Sequence, residues 1–97
     1  VSCKEDVKQK PDSASAMEGD IFTMTCEYES NLYGLHWYKQ IDGEKLHFLR
    51  IQRGDDKIQE GRFVFQLQKE KKLSSLSITH LDVSDTATYW CALEAQC

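Results

Sequence analysis

Asp85-Thr86-Ala87-Thr88-Tyr89-Trp90-Cys91 is the stretch on which the reading of this chain turns. It has a period of two: Ala87, Tyr89 and Cys91 fall on one side, Thr88, Trp90 and Ala92 on the other, as in a strand with one buried face. Upstream, Phe22-Thr23-Met24-Thr25-Cys26 alternates the same way after the turn signal Glu18-Gly19-Asp20. Phe22, Met24 and Cys26 then share an inward face. Between these runs, Leu35, Trp37 and Lys39 alternate with His36, Tyr38 and Gln40. Trp37 is expected inside with Cys26. Lys39 lays its stem along the core and carries its ammonium out to water.

The remaining sequence repeats the pattern. Asp42-Gly43 is a turn, Leu46 to Ile51 a strand, and Gly54-Asp55-Asp56 a loop. Gly61-Arg62-Phe63-Val64-Phe65-Gln66-Leu67 puts Phe63, Phe65 and Leu67 on one face, and Leu73 to Ile78 sends Leu76 and Ile78 inward. Asp82 to Tyr89 begins with polar residues that suit a single helical turn before the last strand. Pro11 sits where an edge strand tolerates it. Short strands separated by regular turn signals predict an all-β, two-sheet antiparallel sandwich, a single domain over residues 1–97 with no internal boundary.

Composition excludes several functions. The chain is 40% hydrophobic and 29% charged with a formal net charge of −4, which speaks against nucleic acid as a partner. The basic group Lys69-Glu70-Lys71-Lys72 is interrupted by Glu and reads as a solvated turn. No apolar run approaches the ~20 residues that cross a bilayer, so no direct membrane contact is expected. Four cysteines permit three pairings; without C-x-x-C or H-x-x-x-H spacing they indicate an oxidising compartment and not a metal site. His36, His47 and His80 accompany no G-x-S-x-G, H-E-x-x-H or glycine-rich phosphate loop. Neither catalysis nor a cofactor is expected.

Taken together, Cys26, Trp37-Tyr38-Lys39-Gln40, Gly61-Arg62-Phe63, Leu76-Ser77-Ile78 and Asp85 to Leu93 resemble the variable-type immunoglobulin domain, specifically T-cell receptor variable domains of the alpha/delta type, over nearly all of the chain from about Asp6 to Leu93. The resemblance implies a Cys26–Cys91 disulfide between the sheets with Trp37 packed against it. A loop of that length is worth about 4 kcal/mol in the chain-entropy view. It also implies a tyrosine corner at Tyr89 and an ion pair between Arg62 and Asp85. The sequence departs from the pattern twice. The family's final strand, with its Phe-Gly-x-Gly signature, is missing, so the sandwich is expected to lack its last strand. Cys3 and Cys97 are additional; a second disulfide between them is expected, the alternative being free or intermolecular thiols.

The functional expectation is binding without chemistry. Tyr38, Gln40 and Trp90 face away from the core on neighbouring strands, a surface that by resemblance pairs with a second variable domain. Tyr28 to Gly34 and Gln52 to Lys57 match the first two hypervariable loops, where Ser30, Asn31, Tyr33, Arg53 and Asp55 are the candidate contacts to a protein ligand such as an MHC-like molecule. The implied setting is the extracellular part of a plasma-membrane receptor. The alternative is an unpaired variable-type immune or adhesion domain that binds a cell-surface protein.

Overall fold

The computed structural model describes residues 7–95. Eight strands follow in order: β1 (Val7–Lys10), β2 (Phe22–Tyr28), β3 (Leu32–Gln40), β4 (Leu46–Gln52), β5 (Asp56–Glu60), β6 (Phe63–Gln68), β7 (Leu73–Ile78) and β8 (Thr88–Ala95). A 3₁₀ turn, Val83–Asp85, precedes β8. The strands form two antiparallel sheets, one of order β1-β2-β7-β6-β5 and one of order β4-β3-β8. This is the two-sheet sandwich that the alternation predicts.

Period-two alternation makes the core. Met24, Cys26 and Tyr28 of β2, Leu35 and Trp37 of β3, Phe65 and Leu67 of β6, Leu76 and Ile78 of β7, and Cys91 and Leu93 of β8 are buried. Cys26 and Cys91 form a disulfide across the sheets, with Cα atoms 6.4 Å apart and a sequence separation of 65. Trp37 is the direct ladder partner of Cys91, so the indole and the disulfide fill the same space. The indole Nε1 donates to Ser74 Oγ at 3.0 Å, across the gap in the opposite sheet. A buried Trp N–H needs such a partner, and Ser74 has no exposed surface at all.

The lower end is pinned by polar contacts. Arg62 grips Asp85 with two bonds, Nη1 to Oδ2 at 2.6 Å and Nη2 to Oδ1 at 2.9 Å, and also donates to the carbonyls of Thr79 and His80. Asp82 caps the 3₁₀ turn by accepting from the Ser84 N–H, while its own N–H donates to Asp85. The Tyr89 hydroxyl donates to the Asp85 carbonyl at 2.7 Å, closing the corner. Lys39 reaches down to donate to the Ser84 carbonyl at 3.2 Å.

One feature departs from the sequence reading. Asp56 and Lys57, read as loop, belong to β5, a strand with a single apolar residue, Ile58, and therefore no alternation to detect. β5 pairs with β6. Gly61, with φ of 61°, opens a tight turn that returns the chain directly onto β5 as a hairpin. That pairing leaves β4 as one edge of the smaller sheet. Among the described residues β8 is the other edge, and a trough of about 750 Å³ runs beside it towards Pro11–Ala16. Cys3 and Cys97 lie outside the described residues.

Candidate functional site

The outer face of the β4-β3-β8 sheet is the first candidate surface. Tyr38 is the ladder partner of Trp90 on β8 and of Phe48 on β4, so the three side chains form one row across the sheet. Tyr38 and Phe48 meet edge to face, ring centroids 5.6 Å apart and planes at 65°, a favoured aromatic geometry. Trp90 is 48% exposed, Phe48 55% and Leu46 49%, which leaves a large apolar area facing outward. Gln40 extends the row downward opposite Leu46 and Thr88, and donates one amide hydrogen to the Glu44 carbonyl at 3.2 Å.

Sequence reading missed Phe48 and Leu46. The signal was present as apolar residues at i and i+2, but the strand contains a bulge opposite the Trp37–Tyr38 bond. A bulge switches which residues face outward, so alternation alone does not assign the faces of β4.

The second candidate surface is the end of the sandwich formed by the β2–β3 and β4–β5 connections. These are shorter than the sequence predicts. Tyr28 and Gln52 are buried strand ends, and the exposed connections narrow to Glu29–Asn31 and Arg53–Asp55. Asn31 and Tyr33 are exposed, Tyr33 from within β3, and Ser30 is half-buried. Arg53 is exposed but engaged: Nη2 donates to Glu94 Oε1 at 3.0 Å. Asp55 Oδ1 accepts the Lys69 backbone N–H at 2.9 Å, which makes it a brace for its own loop.

Lys69 and Lys72 are more than a solvated turn. Lys69 Nζ reaches the Arg53 carbonyl at 3.4 Å, and Lys72 Nζ reaches the Glu29 carbonyl at 2.6 Å. The β6–β7 turn thus supports both neighbouring connections with its two lysines. Their long stems span the gap, a role that charge counting does not reveal.

Glu94 near the end of β8 links this end to the sheet face. Its Oε1 lies 3.0 Å from Arg53 Nη2 and 3.2 Å from His36 Nε2, and the neighbouring His36 and Arg53 hold its carboxyl below the usual carboxylate range. No cluster of three or more His, Cys, Asp or Glu side chains able to hold a metal occurs among the described residues. The geometry offers an apolar sheet face and a polar loop end, which is equipment for binding.

Comparison with known proteins identifies the family. The immunoglobulin V-set domain model matches residues 9–96. Human T cell receptor alpha variable 17 is 36% identical over 88 residues, covering 90% of this chain and 79% of the relative. Human T cell receptor alpha variable 25 is 38% identical over 90 residues, 91% of this chain and 82% of the relative. Human T cell receptor alpha variable 36/delta variable 7 is 35% identical over 95 residues, 97% and 84% respectively. With the disulfide, the indole beside it and the sheet order already established, these matches show that the chain belongs to the immunoglobulin V-set family, as an antigen-receptor variable domain of the T-cell receptor alpha/delta type.

Proposed function

We propose that this domain pairs with a second variable domain through the β4-β3-β8 face and recognises a protein ligand, of the MHC-like kind, through the connections around Asn31, Tyr33 and Arg53. The observation that carries the pairing is the outward row of Phe48, Tyr38 and Trp90. Soluble domains seldom expose contiguous aromatic area of this kind without a partner, and aromatic residues dominate interface energetics. The loop end supports the ligand reading because Tyr33 offers rigid aromatic area and Arg53 is already held in place by Glu94, which lowers the ordering cost on binding. The Cys26–Cys91 disulfide suits an extracellular setting.

Pairing is tested by co-expression with a panel of second receptor variable domains and measurement of the complex by sedimentation. Wild type is expected to form a heterodimer, and Tyr38→Asp with Trp90→Asp to abolish it. Undiminished assembly of the double variant removes the face from the interface. Ligand contact is tested separately: Tyr33→Ala is expected to weaken binding while changing stability by no more than about 0.5 kcal/mol.

A further inference from the structure

His36 lies between the two candidate surfaces. Its Nδ1 lies 2.8 Å from the Tyr38 hydroxyl on the sheet face. On the other side, Nε2 is 3.2 Å from Glu94 Oε1, the oxygen that also takes Arg53. The Nε2 contact is off the hydrogen-bond axis, an ion-pair separation within a spot that water does not reach. Phe48 meets the imidazole edge-on, centroids 5.8 Å apart. Glu94 arrives over its ladder partner Gly34, where a Cβ would stand 2.5 Å from Glu94 Oε1. Glycine at 34 therefore leaves the path of the carboxylate open.

Chemistry places the protons. An ionised carboxylate only accepts hydrogen bonds, and Glu94 is ionised at neutral pH. A neutral imidazole with a bare Nε2 would set two electron-rich atoms against each other at this separation. The neutral ring therefore carries its proton on Nε2, and Nδ1 is the acceptor. Tyr38 must then donate its phenolic hydrogen to Nδ1, so that only its oxygen lone pairs are available outward. Protonating the ring reverses this bond. Nδ1–H then donates to the Tyr38 oxygen, and the phenolic hydrogen is free to point away from His36.

We propose that His36 sets the hydrogen-bonding polarity of Tyr38 on the variable-domain face, presenting an acceptor when neutral and a donor when protonated. The proposal rests on the pairing reading above and specifies the chemistry of the partner: with the ring neutral, the group opposite Tyr38 is a side-chain N–H or O–H donor. His36 is a positioning residue, acting through Tyr38 and not by its own contact. The groups facing the ring are Glu94 of β8, Arg53 through Glu94, Tyr38 of β3 and the uncharged Phe48 of β4. Protonation of the ring therefore inverts the polarity that Tyr38 presents.

Two measurements test this. In the domain alone, nitrogen-15 spectra of the His36 ring at neutral pH are expected to show the Nε2–H tautomer, and Glu94→Gln to weaken that preference. A dominant Nδ1–H tautomer in wild type overturns the assignment. In the heterodimer, affinity is expected to fall about threefold to tenfold on acidification that protonates the ring, the range one neutral hydrogen bond supports. Tyr38→Phe, which keeps the ring and removes the hydroxyl, is expected to flatten that dependence. Tighter pairing in acid, or a dependence that survives in Tyr38→Phe, overturns the polarity switch. If no variable domain associates at any pH, the pairing reading fails, while the tautomer is still decided by the spectra.

Discussion

Asp85 anchors the lower end of the sandwich. Its carboxylate takes two bonds from Arg62 and one from the Asp82 N–H, and its carbonyl takes the Tyr89 hydroxyl. Its side chain is 4% exposed, against 41% for Arg62. Asp85→Ala is expected to cost about 3 kcal/mol in urea unfolding, at the low end of the range for broken buried pairs because Arg62 remains partly in water. Bonding to Arg62 holds the Asp85 carboxyl below its ordinary value. A depressed folded value means stability that is present above the unfolded value near pH 4 and lost as pH falls through the folded one. Acid titration of stability should show that loss in wild type and a smaller one in Asp85→Asn. Tyr89 behaves oppositely, since burial and the nearby Asp85 push its hydroxyl up to about 12. Its contribution is fully present below about pH 10 and is lost as pH rises towards the folded value. At the core, Ser74→Ala leaves the Trp37 N–H buried without its partner and is expected to cost about 1–3 kcal/mol, read by the same unfolding measurement.

Among the elements, β1 has a role out of proportion to its length. It pairs along β2, placing Gln9 opposite Cys26. From there the Gln9 side chain bridges to the other sheet: its amide hydrogen goes to the Tyr89 carbonyl, and its oxygen accepts the Cys91 N–H at 3.2 Å. One side chain thus satisfies two backbone groups of β8 as a neighbouring strand would. Gln9→Ala is expected to destabilise by about 1–3 kcal/mol, and amide exchange at Cys91 should accelerate well beyond that at Leu76 in the central β7. Equal acceleration at both sites would indicate a global effect and remove the bridging role. The β5–β6 hairpin illustrates the complementary case, in which a local turn at Gly61 decides which sheet a strand joins.

For the whole molecule, the two surfaces lie at different parts of one rigid frame. The sandwich fixes the row Phe48, Tyr38 and Trp90 on a sheet, while Tyr33 and Arg53 sit at its loop end. Exposed aromatic area on an unpaired domain favours self-association as concentration rises. Phe48→Lys with Trp90→Lys is expected to keep the domain monomeric at concentrations where wild type self-associates, with stability changed by no more than about 0.5 kcal/mol, because both side chains are about half exposed. Sedimentation velocity distinguishes the outcomes, and equal self-association of both proteins would locate the sticky surface elsewhere.

The strand frame and the core were readable in the chain because alternation has a fixed period and Cys26, Trp37 and Cys91 occur on strands whose faces it assigns. The tyrosine corner and the Arg62–Asp85 pair at the lower end were legible only through the resemblance to the variable-type family, since alternation does not pair Arg62 with a residue on another strand. Side-chain partners across large separations were not readable. Ser74 under the indole, Gln9 against β8, and the lysines of the β6–β7 turn beneath the loops are ordinary residues until the sheets bring them together. The outward position of Phe48 depended on a bulge, and the sheet of β5 on a turn, neither of which leaves a hydrophobic pattern. His36, Glu94 and Arg53 come from three parts of the chain and meet only because β3 lies between β4 and β8. Periodicity records which face of a strand is dry, whereas contact between distant residues depends on register and on how the sheets pack.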